Sequence, residues 1–138
     1  MVDRRIIVEK ADFIEQSLQR VVERRGSNYA EFAADRGLQD SVILHLMQAV
    51  QGCVDLAAHV VSDEGLGVAA STRDFFYILS DKKLIEAELS EKMVKAVGFR
   101  NLLAHEYAKL DLLQVYAIAI EGVRDLEDFL AAMLRRFA

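Results

Sequence analysis

The chain has 138 residues, a net charge of −5 with a pI near 5.2, no proline, seven glycines and 53% apolar residues. A chain of this length is expected to fold as a single domain, residues 1–138, burying roughly two-thirds of the surface it exposes when unfolded; with so few turn formers, helices are favoured over many short strands. The acidic balance argues against broad binding to duplex nucleic acid, whose affinity comes from lysine and arginine neutralising phosphates, and leaves room only for a local basic site.

The N-terminus, MVDRRIIVEKADF, places charges where a signal peptide needs a continuous apolar segment. Further on, apolar runs break before the ~20 residues that cross a bilayer, the nearest candidate being the 14-residue SVILHLMQAVQGCV. A single cysteine, Cys53, excludes an internal disulfide and a multi-cysteine zinc site and fits a reducing compartment. The expectation is a cytoplasmic protein with no membrane contact.

From Asp3 to Arg25, Ile6, Ile7, Phe13, Ile14, Leu18, Val21 and Val22 recur at helical spacing, and RRGSNY ends the pattern, so a first helix is predicted over about 3–25. A second is predicted over about 39–61, where Val42, Ile43, Leu46, Met47, Val50, Cys53, Val54, Ala57 and Val61 form a stripe. Nothing between Asp40 and Asp55 carries a formal charge if His45 is neutral, so this helix is either central in the bundle or part of a subunit contact. Ser71 and Asp74 form a capping-box pattern for a short helix from Thr72 to Leu79, and SDKKLIEAEL holds a turn and a short helical piece. Ser90 is read as the cap of a helix with Met93, Val94, Val97, Leu102 and Leu103 inward, and Asp111 as the N-cap of a last helix. The sum is an all-α, up-and-down bundle of about five helices.

The three histidines assemble no evident metal site. His45 and His59 are 14 residues apart on one helix, about 21 Å along its axis, and no Glu-x-x-His pair occurs. Both read first as packed or interface residues, and Cys53 as a small buried hydrophobe.

RNLLAHEY, Arg100 to Tyr107, is different, because several polar groups interrupt an apolar helix. Asn101 and His105 are four apart and share a face, Arg100 sits one residue to the side, and Tyr107 returns to the arginine's face if the helix continues. Spacing alone leaves two readings open. Asn101, His105 and Tyr107 could close the helix end by bonding its orphan carbonyls, the weightier reading on spacing, or the cluster could be catalytic.

RNLLAHEY resembles the R-N-x-x-x-H-x-Y motif of HepT-like proteins, a branch of the HEPN superfamily of helical bundles. The upstream STRDFFYILSDKKLIEAELSEKMVKAVGF, the downstream AKLDLLQVY and the second-helix stretch SVILHLMQAVQGCVDLAAHVVSD are similar to the corresponding family segments, so the likeness spans roughly residues 3–135. The resemblance implies a metal-independent endoribonuclease, the toxin of a toxin–antitoxin pair, whose partner is a minimal nucleotidyltransferase. It implies Arg100 and His105 as catalytic residues with Asn101 supporting, no metal or other cofactor, and a homodimer whose two motifs face across one RNA cleft. Tyr107 would be the tyrosine that the nucleotidyltransferase adenylylates. The residue chemistry is compatible: attack by the RNA's 2′-hydroxyl needs a proton-transfer group such as His105 and a cation such as Arg100 on the phosphoryl oxygens. Asn101 could orient His105 or hold a phosphate, and Lys92, Lys95 and Lys109, clustered in sequence around the motif, are read as further RNA phosphate contacts. Two alternatives stand beside this reading: a non-catalytic HEPN partner subunit for a nucleotidyltransferase, and a nucleotide-binding module in which Arg100 and Lys95 hold phosphates.

Overall fold

The computed structural model describes residues 2–106 and 109–138, and the described residues form six helices without a strand. Helix α1, Arg4–Arg24, starts at Asp3, whose carboxylate accepts from the Arg5 N–H at 2.8 Å. Ile7, Ala11, Ile14, Leu18 and Val21 form its buried stripe. Phe13 and Val22, expected in that stripe, lie at its edges and stay exposed.

Helix α2, Tyr29–Ala34, occupies the stretch after the predicted break. Asn28 caps it by accepting from the Glu31 N–H at 2.9 Å, and Phe32 is fully buried, in ring contact with Tyr116 at 5.3 Å between centroids. Asp35 then ends α2 and starts α3, Arg36–Asp63, accepting from the Leu38 N–H at 3.2 Å. α3 touches all five other helices, which explains its lack of charge: it is the central rod of the bundle. By length and composition it is also long and apolar enough to cross a membrane, longer than the apolar run counted in the sequence; yet 56% of its most apolar window is buried inside the fold.

Helix α4, Thr72–Asp81, begins at the expected Ser71, with the Asp74 carboxylate accepting from the Ala70 and Ser71 N–H groups at 2.8 and 3.2 Å. The short piece expected after it is the first turn of α5, Ala87–His105, so Ser90 is not a cap. The Ser90 N–H already bonds the Glu86 carbonyl at 3.0 Å, and its side chain, 2% exposed, shares the inward face with Met93 and Val97. Helix α6, Leu112–Phe137, starts at Asp111 as predicted, the carboxylate accepting from the Leu113 N–H at 3.0 Å. Arg25 donates to the Ala119 carbonyl at 2.9 Å, pinning the end of α1 to α6.

Candidate functional site

Met93, Val97 and Leu103 fasten α5 to the core and thereby fix which of its faces remains available. Arg100, Asn101, Ala104 and His105 line an open groove of about 460 Å³ against Leu44, Met47, Gln48 and Gln51 of α3. The α3 wall follows i, i+3, i+4, i+7 spacing, a single stripe that the core leaves uncovered beside α5. Leu44 is 51% exposed, an apolar side chain at the lip of the groove.

Arg100 is held from both walls. Its Nη2 donates to Asn101 Oδ1 at 2.8 Å, and its Nη1 donates to Gln51 Oε1 across the groove. Gln51 is held in turn, its Nε2 donating to Asp55 Oδ1 at 3.0 Å. Both acceptors on the guanidinium are neutral amides. Among the described residues no carboxylate forms an ion pair with Arg100, which leaves its positive charge to meet an anion. Asn101 therefore serves Arg100 rather than His105 in this arrangement.

His105 is the last residue of α5 and is exposed. At the helix end the Glu106 N–H bonds the Leu102 carbonyl at 2.9 Å. The expected return of Tyr107 to the arginine's face along a continuing helix falls on a residue that lies outside the described residues.

The lysines of the motif region do not share this groove. Lys92 and Lys95 border a second one, about 570 Å³, between α5 and α6, together with Phe99, Leu102, Ile118 and Asp125. Around α5, Lys95 is turned about 140° from Arg100 and Lys92 about 80°, as five- and eight-residue offsets require at 100° per residue. Lys92 is also occupied, 3.6 Å from Glu88 and 3.8 Å from Asp125. Burial pushes the Asp125 carboxyl above its ordinary range; Lys92 opposes that rise, while Asp128 and Glu121 add to it. Lys109 is exposed beyond α5, its N–H bonding the Glu106 carbonyl at 2.9 Å.

The other candidates are structural. His45 Nδ1 sits 2.7 Å from the Ser41 carbonyl one turn back, and His59 Nε2 is 3.2 Å from Asp63 Oδ2. Cys53 is fully buried, and burial pushes its thiol far up. Among the described residues no group of three or more His, Cys, Asp or Glu side chains gathers as a metal site would require. Gln51 is the site residue that the sequence did not reveal. Its i,i+4 relation to Asp55 was visible, but nothing in a single chain ties position 51 to position 100.

The model of the family described as ribonuclease HepT-like matches residues 14–133. The mRNA nuclease HepT of Shewanella oneidensis is 35% identical over 125 residues, covering 91% of this chain and 93% of its own. A crystal structure described as a toxin–antitoxin with AMP-PNP superposes with a TM-score of 0.88 at 33% identity, covering 94% of this chain and 97% of the other. A structure of the tri-AMPylated Shewanella oneidensis HEPN toxin in complex with its MNT antitoxin gives 0.86 at 33% identity, covering 96% and 98%. A match over nearly the whole length, in sequence and in helical architecture, leaves one conclusion: this chain belongs to the HepT-like ribonuclease family.

Proposed function

We propose that the protein is a metal-independent endoribonuclease toxin that cuts RNA in the α3–α5 groove, using Arg100 and His105, and that a cognate nucleotidyltransferase antitoxin silences it by adenylylating Tyr107. The observation that carries the reading is the state of Arg100: a guanidinium fixed by two amide oxygens, uncompensated in charge, in one open groove with His105. In the reaction the RNA's 2′-oxygen attacks the adjacent phosphorus and the 5′-oxygen leaves. One proton must come off the 2′-hydroxyl and one must reach the leaving oxygen. Imidazole is suited to both transfers, and guanidinium to the charge on the phosphoryl oxygens.

Arg100 and His105 are separated by about 7.5 Å along one helix axis, too far for one copy to surround a phosphate. Two copies related across the groove would supply two histidines, one for each proton. Exposed Leu44 beside the site offers apolar surface for such a homodimer. Lys109, four positions beyond His105 in the chain, would extend the phosphate path past the end of α5. The antitoxin assignment is supported by the AMPylated toxin–antitoxin complex of the Shewanella relative. Transfer of AMP from ATP to the Tyr107 hydroxyl, with release of pyrophosphate, would place negative charge beside the cleft and repel RNA.

The nucleotide-binding alternative loses its geometry, because Arg100 and Lys95 occupy separate grooves. The test is controlled expression of the wild type, Arg100→Ala and His105→Ala at matched soluble levels, following growth and total RNA. Growth arrest with RNA loss in the wild type alone supports the nuclease; identical behaviour of all three favours the non-catalytic partner subunit. Sedimentation of active protein as a monomer at micromolar concentration would sink the shared site. Intact-mass adenylylation of Tyr107→Phe at the wild-type level would sink the modification site.

A further inference from the structure

An arginine in an open groove is a poor tool unless something holds it. Its long side chain carries about 2 kcal/mol of rotamer entropy, and a fork that must meet phosphate oxygens needs a defined plane. Asn101, next to Arg100 on the same helix, moves with it and cannot fix it relative to the opposite wall. Gln51 can, because it stands on α3, 49 positions earlier in the chain, and α3 is packed against every other helix.

A glutamine amide has an acceptor end and a donor end, and only the acceptor suits a guanidinium. The choice of end is made by Asp55. Its carboxylate, one turn further along α3, accepts from Gln51 Nε2 at 3.0 Å and so turns Oε1 toward Arg100. The neutral amide also differs from a carboxylate in one respect that matters here. It fixes the guanidinium without cancelling its charge, whereas a carboxylate would form an ion pair and compete with phosphate for the same fork.

We infer that Gln51, oriented by Asp55, is the positioning residue for Arg100: it holds the guanidinium plane across the groove while leaving its charge available to the RNA phosphate. The inference rests on the reading of Arg100 as the phosphate-contacting group, and two measurements keep the two ideas separable.

The first is nitrogen-15 NMR of the arginine side chains in wild type, Gln51→Met and Gln51→Glu, with Asp55→Ala as a surface variant that leaves Gln51 in place. Met matches glutamine in length but offers no oxygen, and Glu keeps the oxygen but adds charge. Resolved, slowly exchanging Arg100 Nη signals are expected in the wild type and in Gln51→Glu, averaged ones in Gln51→Met, and intermediate ones in Asp55→Ala. The second measurement is cleavage of a fluorogenic single-stranded RNA oligomer, with thermal unfolding confirming that each variant is folded. Gln51→Met should lose kcat by about 10- to 100-fold with KM little changed, the scale expected when a reacting group is misplaced by an ångström. Gln51→Glu should lose mainly through KM. Unchanged Arg100 signals in Gln51→Met, or wild-type cleavage by that variant, overturns the inference. If no form of the protein cuts RNA, the nuclease reading fails, while the NMR comparison still decides whether Gln51 holds Arg100.

Discussion

Asn101 accepts a hydrogen bond from its chain neighbour Arg100, Nη2 to Oδ1 at 2.8 Å, so the amide of the motif acts on the cation and not on His105. The consequence can be tested with two substitutions at Asn101. Asn101→Ala removes one support of the guanidinium and should lower RNA cleavage by about tenfold. Asn101→Asp keeps the acceptor but neutralises the charge meant for phosphate, and should lower cleavage further and raise KM. Asn101 is partly exposed, so unfolding stability should stay within about 0.5 kcal/mol of wild type in both variants. Equal activity of the Asp variant and wild type would show that the Arg100 charge is not used.

Arg100→Lys should fail as well, although the charge is kept. Two amide contacts and a phosphate require several donors in a plane, and an ammonium presents a point charge without that fork. Loss of cleavage close to that of Arg100→Ala is expected; substantial recovery by Lys would reduce Arg100 to a source of positive potential.

Much of the fold was readable because it is written in local signals. α1 and α3 fall within three residues of the spans predicted from apolar periodicity, and the caps at Ser71 and Asp111 stand where their side chains indicated. α2 was missed because six residues carry too little periodicity to register, even though Asn28 and Glu31 already stood at capping spacing and Phe32 had to go inside. Ser90 misled for the opposite reason: a good capping residue lies one turn inside the helix, where packing of Met93 and Val97 overrides its preference. Arg100, Asn101 and His105 were legible as a cluster, and helix geometry brings them to one groove. Lys92 and Lys95 are near in sequence but turned to another face, and Gln51 is remote in sequence yet adjacent in space. The first relation follows from helix geometry once α5 is continuous; the second cannot be read without the packing of α3 against α5.

Two helical glycines should respond to alanine with opposite signs. A Cβ on Gly52 would lie 2.7 Å from Ile14 Cγ1 and 3.4 Å from Phe13 Cδ1, where α1 and α3 approach closely. Gly52→Ala should cost about 1–3 kcal/mol through overpacking. Gly98, two residues before the motif arginine, has nothing within 4 Å of such a Cβ, and alanine should stabilise α5 there by about 0.5–1 kcal/mol. Denaturant unfolding of the two variants checks both signs at once. A destabilised Gly98→Ala would mean that α5 needs its freedom near the site.

Asp125 links the second groove to stability. Its folded carboxyl is raised above the ordinary value of 3.8, chiefly by burial, with Lys92 opposing and Asp128 and Glu121 reinforcing. A raised carboxyl contributes its stability in full below the unfolded pKa and loses it as pH climbs through the folded one, so at neutral pH the ionised Asp125 weakens the fold. Asp125→Asn should therefore match wild type in acid and become progressively more stable toward pH 7, with Lys92 still paired to Glu88. Melting curves from pH 3 to pH 7 test this, and an Asn variant less stable than wild type at pH 7 would show that the Lys92 contact outweighs burial.

The separation of the lysines predicts how binding responds to salt. Each phosphate neutralised by the protein contributes nearly one unit to the slope of log affinity against log salt, somewhat less for single strands. Arg100 faces the groove with His105, whereas Lys95 faces the one between α5 and α6. Arg100→Gln should flatten the salt slope for a single-stranded RNA oligomer by about one unit for each protomer engaged, while Lys95→Gln should leave it unchanged. Measuring the slope rather than a single affinity matters, because removing any lysine from an acidic protein weakens RNA binding slightly through the general field. If Lys95→Gln flattens the slope as much as Arg100→Gln, the RNA path runs over the α5–α6 groove too, and the cleft must wrap around α5 instead of ending at the α3 wall.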